Sequence, residues 1–327
     1  MQAYSRPLEF LSAHDIEQFA RADRSPGVCL LLDLREAMAD VALTPWLRAQ
    51  SCPILALARP GARGALVECC DVVAAEEAEL APMIANIERA PYAASILVQT
   101  LRATEAMPVP EALIVESLAY ATLQAGPEFA RWLAERNSPV PPPAENGPAL
   151  LMAREGDRLR LTLNRPGNHN AMSVEMRDAL VEAFSFAAID DTITAINVDS
   201  TGRCFSTGGD LAEFGLAPSP AVGHMIRMER LPARALLPVA ERTTFHLHGA
   251  CIGAGIELPS FAGRISAAPD SFFQLPEIRF GLIPGAGGCV GIARRIGRQR
   301  MAAFALSARR ITAHTALAWG LIDEITP

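Results

Sequence analysis

Between Cys204 and Gly288, two glycine-rich turns and two isolated glutamates interrupt otherwise apolar sequence, and this stretch limits what the chain can become. The first turn is Phe205-Ser206-Thr207-Gly208-Gly209-Asp210, and the second is Gly253-Ala254-Gly255-Ile256-Glu257-Leu258. A third element, Pro276-Glu277, runs on through Gly281-Leu282-Ile283-Pro284 to Gly285-Ala286-Gly287-Gly288. Glycine lets a backbone approach a ligand closely and aim its N–H groups there. Two such turns facing one point make an oxyanion hole, whose donors stabilise negative charge growing on a carbonyl oxygen. Two carboxyl groups beside the hole make an acid/base pair. The constellation reads as chemistry on a carbonyl compound. A plainer reading stays open on spacing alone: Glu257 as a helix residue favoured by the helix dipole, and Glu277 as an exposed loop carboxylate.

Composition removes other classes of function. The chain has 327 residues, half hydrophobic and a fifth charged, enough for one large or two modest globular cores. No apolar run approaches the roughly 20 residues of a membrane span. Arg6, Glu9 and Asp15 come too early for a signal peptide, and seven cysteines without CxxC spacing suit reduced thiols in a cytoplasm. Cys69-Cys70 is read as buried packing. All 29 basic residues are arginine, so no lysine nucleophile exists and a phosphate clamp needs arginine forks or backbone amides. A net charge of −7 gives no reason to expect nucleic acid. His246 and His248 alternate as metal ligands could, but without further ligands they read as ordinary strand residues, and no metal site is expected. Gly253-x-Gly255 is too short for a dinucleotide fingerprint.

Proline density from Pro139 to Pro148 forbids helix and marks an extended connector between residues 1–138 and 149–327. Before it, apolar runs at Val28–Leu34 and Pro53–Leu57, with a third at Asp71–Ala74, suggest buried strands. Helical patterns follow over Ala78–Thr104 and Pro110–Arg136, the second with Leu113, Ile114, Ser117, Leu118 and Ala121 at helical spacing and a break at Ala125-Gly126-Pro127. After the connector the pattern predicts strands at Leu159–Leu163, Thr194–Val198 and Thr243–Leu247. It predicts helices at Ser173–Ala188, Leu231–Ala240 and Ala254–Gly263, with a mobile roof over Ala217–Leu237.

The order and spacing of these elements resemble the crotonase (enoyl-CoA hydratase/isomerase) superfamily over about residues 158 to 327. Asn164-Arg165-Pro166 with Asn170-Ala171-Met172 matches a further segment of that family. The resemblance implies an α/β fold, a crotonase-like spiral of repeated ββα turns with perpendicular strands and outer helices. Relatives usually continue past the Gly320–Ile325 position with helices that cover the active site, whereas residues 71–139 of this chain look like that region. A helix-rich N-terminal α/β extension is therefore expected to replace the cap, in permuted order or from a neighbouring subunit. Residues 51–80 faintly resemble 241–271, which suggests a degenerate crotonase half; an unrelated appendage is the alternative.

What the resemblance implies for the site is specific. The backbone N–H groups of Thr207 and Ala254 match the oxyanion-hole donors, and Glu257 and Glu277 match the two catalytic glutamates. Burial on apolar elements is expected to raise both carboxyl pKa values. Arg165, with Asn170 and Ala171, is the expected contact for coenzyme A, joined by Gly208 and Asp210 of the first turn, with Arg203 weaker and His169 standing where relatives often carry a basic residue. Asp210 also reads as a helix cap. The glycines at 285–288 open a helix whose N-terminus suits an anion, though packing beside Glu277 is the favoured reason for them. The expected activity is syn hydration of a 2-enoyl-CoA thioester by a homo-trimer or hexamer, with coenzyme A entering only as part of the substrate. Alternatives are an enoyl-CoA isomerase, a cofactor-independent (3,5-dihydroxyphenyl)acetyl-CoA-type dioxygenase, and a non-catalytic acyl-CoA-binding scaffold subunit.

Overall fold

The computed structural model describes residues 9–12, 15, 18, 27–36, 43–136 and 145–326. Pro139 to Ala144 of the connector lie outside them. In the first half, strands β1 (Leu11–Ser12), β2 (Leu30–Asp33), β3 (Ile54–Leu57) and β4 (Val72–Ala74) pair in that order, all parallel. Their near-continuous apolar runs follow from burial on both faces. Leu31, Leu55 and Leu57 join the main core, while Leu30, Leu32, Ile54 and Ala56 pack under helices α1 (Thr44–Arg48) and α2 (Ala65–Cys69) in a second, smaller one.

Four helices follow: α3 (Glu77–Arg89), α4 (Pro91–Thr104), α5 (Val109–Gln124) and α6 (Pro127–Glu135). The pattern over Ala78–Thr104 divides at Ala90-Pro91, because proline ends one helix and starts the next well. The stripe on α5 is rotated from its expected position. Leu113, Ser117 and Ala121 are buried with Glu116, whereas Ile114 and Leu118 face outward.

The second half carries β5 (Leu150–Glu155), β6 (Arg158–Leu163), β7 (Ala195–Ser200), β8 (Thr243–Leu247), β9 (Ala250–Ile252), β10 (Arg264–Ala267), β11 (Phe272–Gln274), β12 (Ile311–Thr312) and β13 (Glu324–Ile325). One sheet has the order β13-β10-β8-β7-β6-β5 and the other β12-β11-β9. From β8 to β11 consecutive strands alternate between the sheets: β8 is followed by β9, and β10 by β11. Strand β5 left no sequence signal, because only Leu150 of its six residues is buried.

The helices are α7 (Val174–Ile189), α8 (Pro220–Arg230), α9 (Pro232–Leu236), α10 (Ala254–Glu257), α11 (Gly288–Ile296), α12 (Arg298–Ser307) and α13 (Ala313–Trp319). Ser173 caps α7 by accepting the Met176 N–H. The expected roof over Ala217–Leu237 is helical, with α8 capped by Ser219. Its lack of a buried apolar stripe hid it, since Gly223 alone is buried. The helix expected from Ala254 to Gly263 lasts one turn and becomes a 3-10 turn at Pro259–Phe261, where proline has no N–H to continue the ladder.

Both halves share one apolar core. Leu80, Ile87, Leu97, Leu101 and Leu113 of α3–α5 belong to the same buried cluster as Ile292, Met301 and Phe304 of α11 and α12. Polar ties reinforce the junction. Asp71, almost wholly buried, accepts from the Ile54 N–H, pairs with Arg102 (Nε at 2.8 Å) and pairs with Arg298 across the junction at 3.0 Å. Asn86 and Gln299 add amide bonds to carbonyls of the opposite half. Breaking a buried pair from one side leaves uncompensated charge, here on two arginines, at about 3–5 kcal/mol. Asp71→Ala is therefore expected to lower the unfolding free energy by that order in denaturant titration; a loss under about 1 kcal/mol would contradict it.

Candidate active site

The first and second glycine turns meet. Gly208 has φ +85°, and a Cβ there would lie 2.6 Å from the Ile252 carbonyl oxygen and 3.4 Å from the Ala254 nitrogen. Only glycine fits that conformation and approach. Ser206 bridges to Cys251, so β9 carries the second turn alongside the first. Ala254 begins α10 outside the left-handed region, and its N–H, first in the helix, has no intrahelical acceptor. The expected partner donor is engaged: Thr207 N–H donates to the His169 carbonyl at 3.2 Å. The two turns adjoin as the resemblance implies, but in this state Ala254 alone offers its amide.

The His169 carbonyl is held there by an unusual backbone. His169 and Asn170 are consecutive non-glycine residues with φ of 51° and 52°. The buried Asn170 amide stabilises that shape, accepting from Arg165 N–H and donating to the Thr201 and Cys204 carbonyls. Asn170 is thus a clamp within the fold, and Ala171 is buried beside it. Arg165 also departs from its expected role. Its guanidinium has five N–H donors, and they meet Glu175 twice and the carbonyls of Gly147, Pro148 and Asn164. None is left for a phosphate. Asp210 accepts from Ala212 N–H, which caps the following turn, and from the Asn168 amide. Arg203 remains exposed at this edge, its guanidinium 3.0 Å from His169 Nε2.

Both glutamates are buried, and they converge. A Cβ on Gly253 would lie 2.7 Å from Glu277 Oε1 and 3.7 Å from Glu257 Oε1. Glu257 Oε2 accepts the N–H groups of Ala286 (2.8 Å) and Gly288 (2.9 Å) at the start of α11. The anion at that helix end is therefore the protein's own carboxylate. The glycines before α11 pack against Tyr120, Phe261 and Glu257, not against Glu277 as the sequence reading favoured. Desolvation pushes Glu257 up to about 7, opposed by its two backbone donors. Desolvation, then the charge of Glu257, raises Glu277 further, and its Oε2 has no hydrogen-bond partner among the described residues.

Three site residues escaped the sequence reading, all on the far side of the connector or in the roof. Glu116 on α5 accepts the Gly287 N–H at 2.7 Å. Tyr120, one turn on, lies against Gly285, and Arg227 of α8 stacks over its ring at 4.6 Å. The signal for Glu116 was an acidic residue directly after the apolar run Leu113-Ile114-Val115, on the stripe facing the core. Helix α6 supports the other glutamate, since Trp132 packs 4.8 Å from Phe280 at the end of the Glu277 turn. The two histidines weighed as ligands are bonded elsewhere, His246 to Ser266 and Asn197 and His248 to the Gly202 carbonyl.

With that geometry in hand, comparison with known proteins is decisive for the family. The enoyl-CoA hydratase/isomerase model matches residues 157–327. The chain belongs to the enoyl-CoA hydratase/isomerase family. It is 33% identical over 178 residues to the 2,3-dehydroadipyl-CoA hydratase of Escherichia coli, covering 54% of this chain and 69% of that one. The same organism's 1,2-epoxyphenylacetyl-CoA isomerase is 30% identical over 54% of this chain and 69% of its own length. Among solved structures, an enoyl-CoA hydratase from Thermoplasma volcanium superposes with a TM-score of 0.50 at 30% identity, over 55% of this chain and 72% of its own. One from Mycobacterium smegmatis does so with 0.50 at 28%, over 55% and 70%. Among the described residues no helix is long and apolar enough to cross a membrane.

Raised carboxyl pKa values have a thermodynamic consequence. Unfolded, Glu257 ionises near its ordinary value of 4.5; folded, it holds its proton to about 7. Across that window the folded state binds more protons, so stability falls as pH rises. Glu277 and Glu116, both raised well above their ordinary value, contribute in the same direction. Wild-type melting temperature is expected to drop between about pH 5 and 8, and Glu257→Gln to flatten part of the slope. Superimposable slopes would contradict burial of an ionisable Glu257.

Proposed function

We propose that this protein hydrates 2-enoyl-CoA thioesters, adding water syn across C2 and C3. The observation that carries this reading is the convergence of two buried carboxyl groups in unlike surroundings: Glu257 sits on two backbone amides, whereas Glu277 Oε2 has no partner among the described residues. Burial raises both groups, Glu257 to about 7 and Glu277 well above its ordinary value, and the two amides favour the anionic form of Glu257. Environments that drive two such groups apart assign base and acid. In the proposed step the Glu257 carboxylate takes a proton from water as the water oxygen bonds to C3. The C2=C3 electron pair moves toward the thioester as an enolate, whose oxygen lies at the Ala254 N–H. Thr207 joins that hole if the thioester oxygen displaces the His169 carbonyl. Glu277 then gives its proton to C2, and the proton on Glu257 restores Glu277 between turnovers.

Enoyl-CoA isomerisation is the second reading, supported by a dienoyl-CoA isomerase among the relatives; it needs one group that removes a proton and returns it. For the coenzyme A end we assign Arg203 with His169, and we read α3–α6 as the cap that relatives place after their core. The trimer or hexamer implied by resemblance remains the proposed assembly, in which coenzyme A enters only as part of the substrate.

Crotonyl-CoA is the first substrate to offer, following loss of the enoyl-thioester absorbance. Wild type is expected to turn over with an acid limb near pH 7, set by Glu257. Glu257→Gln and Glu277→Gln should each lose on the order of 10²–10⁴-fold in kcat, the usual worth of a positioned acid or base. A 3-enoyl-CoA converted without any hydration of crotonyl-CoA would select the isomerase reading. Retained turnover in either variant would remove that glutamate from the mechanism.

A further inference from the structure

Three successive amides at the start of α11 are divided between two carboxyl groups from distant parts of the chain. Ala286 and Gly288 donate to Glu257 Oε2 at 2.8 and 2.9 Å, and Gly287 between them donates to Glu116 Oε1 at 2.7 Å. Glu116 is 1% exposed, and its Oε2 has no partner among the described residues. Burying a carboxyl group there is costly, and a hydrophobic residue would pack the same helix face without the desolvation. Its neighbour Tyr120 presses on Gly285 at the other end of the same turn. Helix α5 therefore grips the 285–288 turn at two points, one of them polar and directional.

We propose that Glu116 is a positioning residue for the catalytic base: by taking the Gly287 N–H it leaves the flanking amides to Glu257 and fixes the turn on which that carboxylate is seated. The residue belongs to residues 1–138, so the active centre spans both halves of the chain. The charged and titratable groups around it come from every neighbouring element. They are Glu257 of α10, Glu277 of the turn before α11, Cys289 of α11, Tyr120 of α5 itself and Arg227 of α8. Helix α4 presents apolar residues with Thr100 and Thr104. No salt bridge joins Glu116 to Arg227; the guanidinium bonds to Ser117 and Gln124 instead. Desolvation and the Glu257 charge push the Glu116 carboxyl well above its ordinary range, opposed by the backbone amides of Gly287, Cys289 and Val290.

The kinetic test rests on the hydration reading. Glu116→Gln keeps the length and the acceptor; Glu116→Asp keeps the carboxyl group but shortens its reach by one methylene. Gln is expected to match wild type in kcat and in the acid limb of the pH profile. Asp is expected to lose kcat by about 10²-fold, the effect of a catalytic group misplaced by about 1 Å, with KM little changed and the acid limb displaced. An active Asp variant beside an inactive Gln variant would make Glu116 a proton-transfer group and overturn the proposal. So would wild-type kinetics in both. A second readout needs no activity: Gly287 amide hydrogen exchange should be slow in wild type and Gln and faster in Asp. Equal exchange in all three would overturn the proposal, whereas a wild type that hydrates no enoyl-CoA but shows this exchange pattern would sink only the hydration reading.

Discussion

Everything at this site depends on seating the Glu257 carboxylate on the first amides of α11. A buried carboxylate without a cation is unfavourable by several kcal/mol, and aligned helix amides offset part of that. Two N–H donors suffice to bring the group to ionisation near neutrality but not to its ordinary value. That balance makes Glu257 usable as a base. Glu277, whose Oε2 has no partner among the described residues and which faces the charge of Glu257, is raised well above its ordinary value. In the proposed mechanism the backbone donors at Ala286 and Gly288 thus divide the labour between two chemically identical side chains.

The turn that supplies those donors is not self-supporting. Its glycines are filled from outside by Tyr120, Phe261 and Glu257 itself, and Glu116 takes the remaining amide. The Glu277 turn is buttressed by Trp132 against Phe280, and Gly281 touches Glu128 and Phe129 of α6. Helix α5 therefore touches the turn that seats Glu257, and α6 the turn that carries Glu277, while Asp71 and its arginines tie the sheet of the first half to α12. The shared apolar core makes the two halves one packing unit.

Much of this was legible in sequence, and the limits have physical causes. Gly208 and Gly253 announced close backbone approach because no other residue tolerates those positions. Glu257 and Glu277 stood out as charges in apolar surroundings. Strand Thr243–Leu247 was plain because it is buried and flanked by turn residues. Arg165 misled, because a family motif names a residue but not its partners, and five nearby acceptors consume its donors. Thr207 was placed correctly in the first turn, yet its amide answers to a carbonyl brought by the left-handed His169-Asn170 pair, which no local pattern signals. Helix α8 and strand β5 bury too little on one side to leave a periodicity. Glu116 was missed because its role arises only when α5 meets a turn about 170 residues later in the chain, a contact that spacing cannot encode.

The measurement that bears most directly on the account is a carboxyl titration by infrared or carbon-13 NMR, with Glu257→Gln and Glu277→Gln used to assign the signals. The account predicts a Glu257 that changes protonation near pH 7 and a Glu277 that ionises well above the ordinary carboxylate range. If both groups ionise in the ordinary carboxylate range, near pH 4, the division into base and acid fails and the proposed hydration mechanism fails with it.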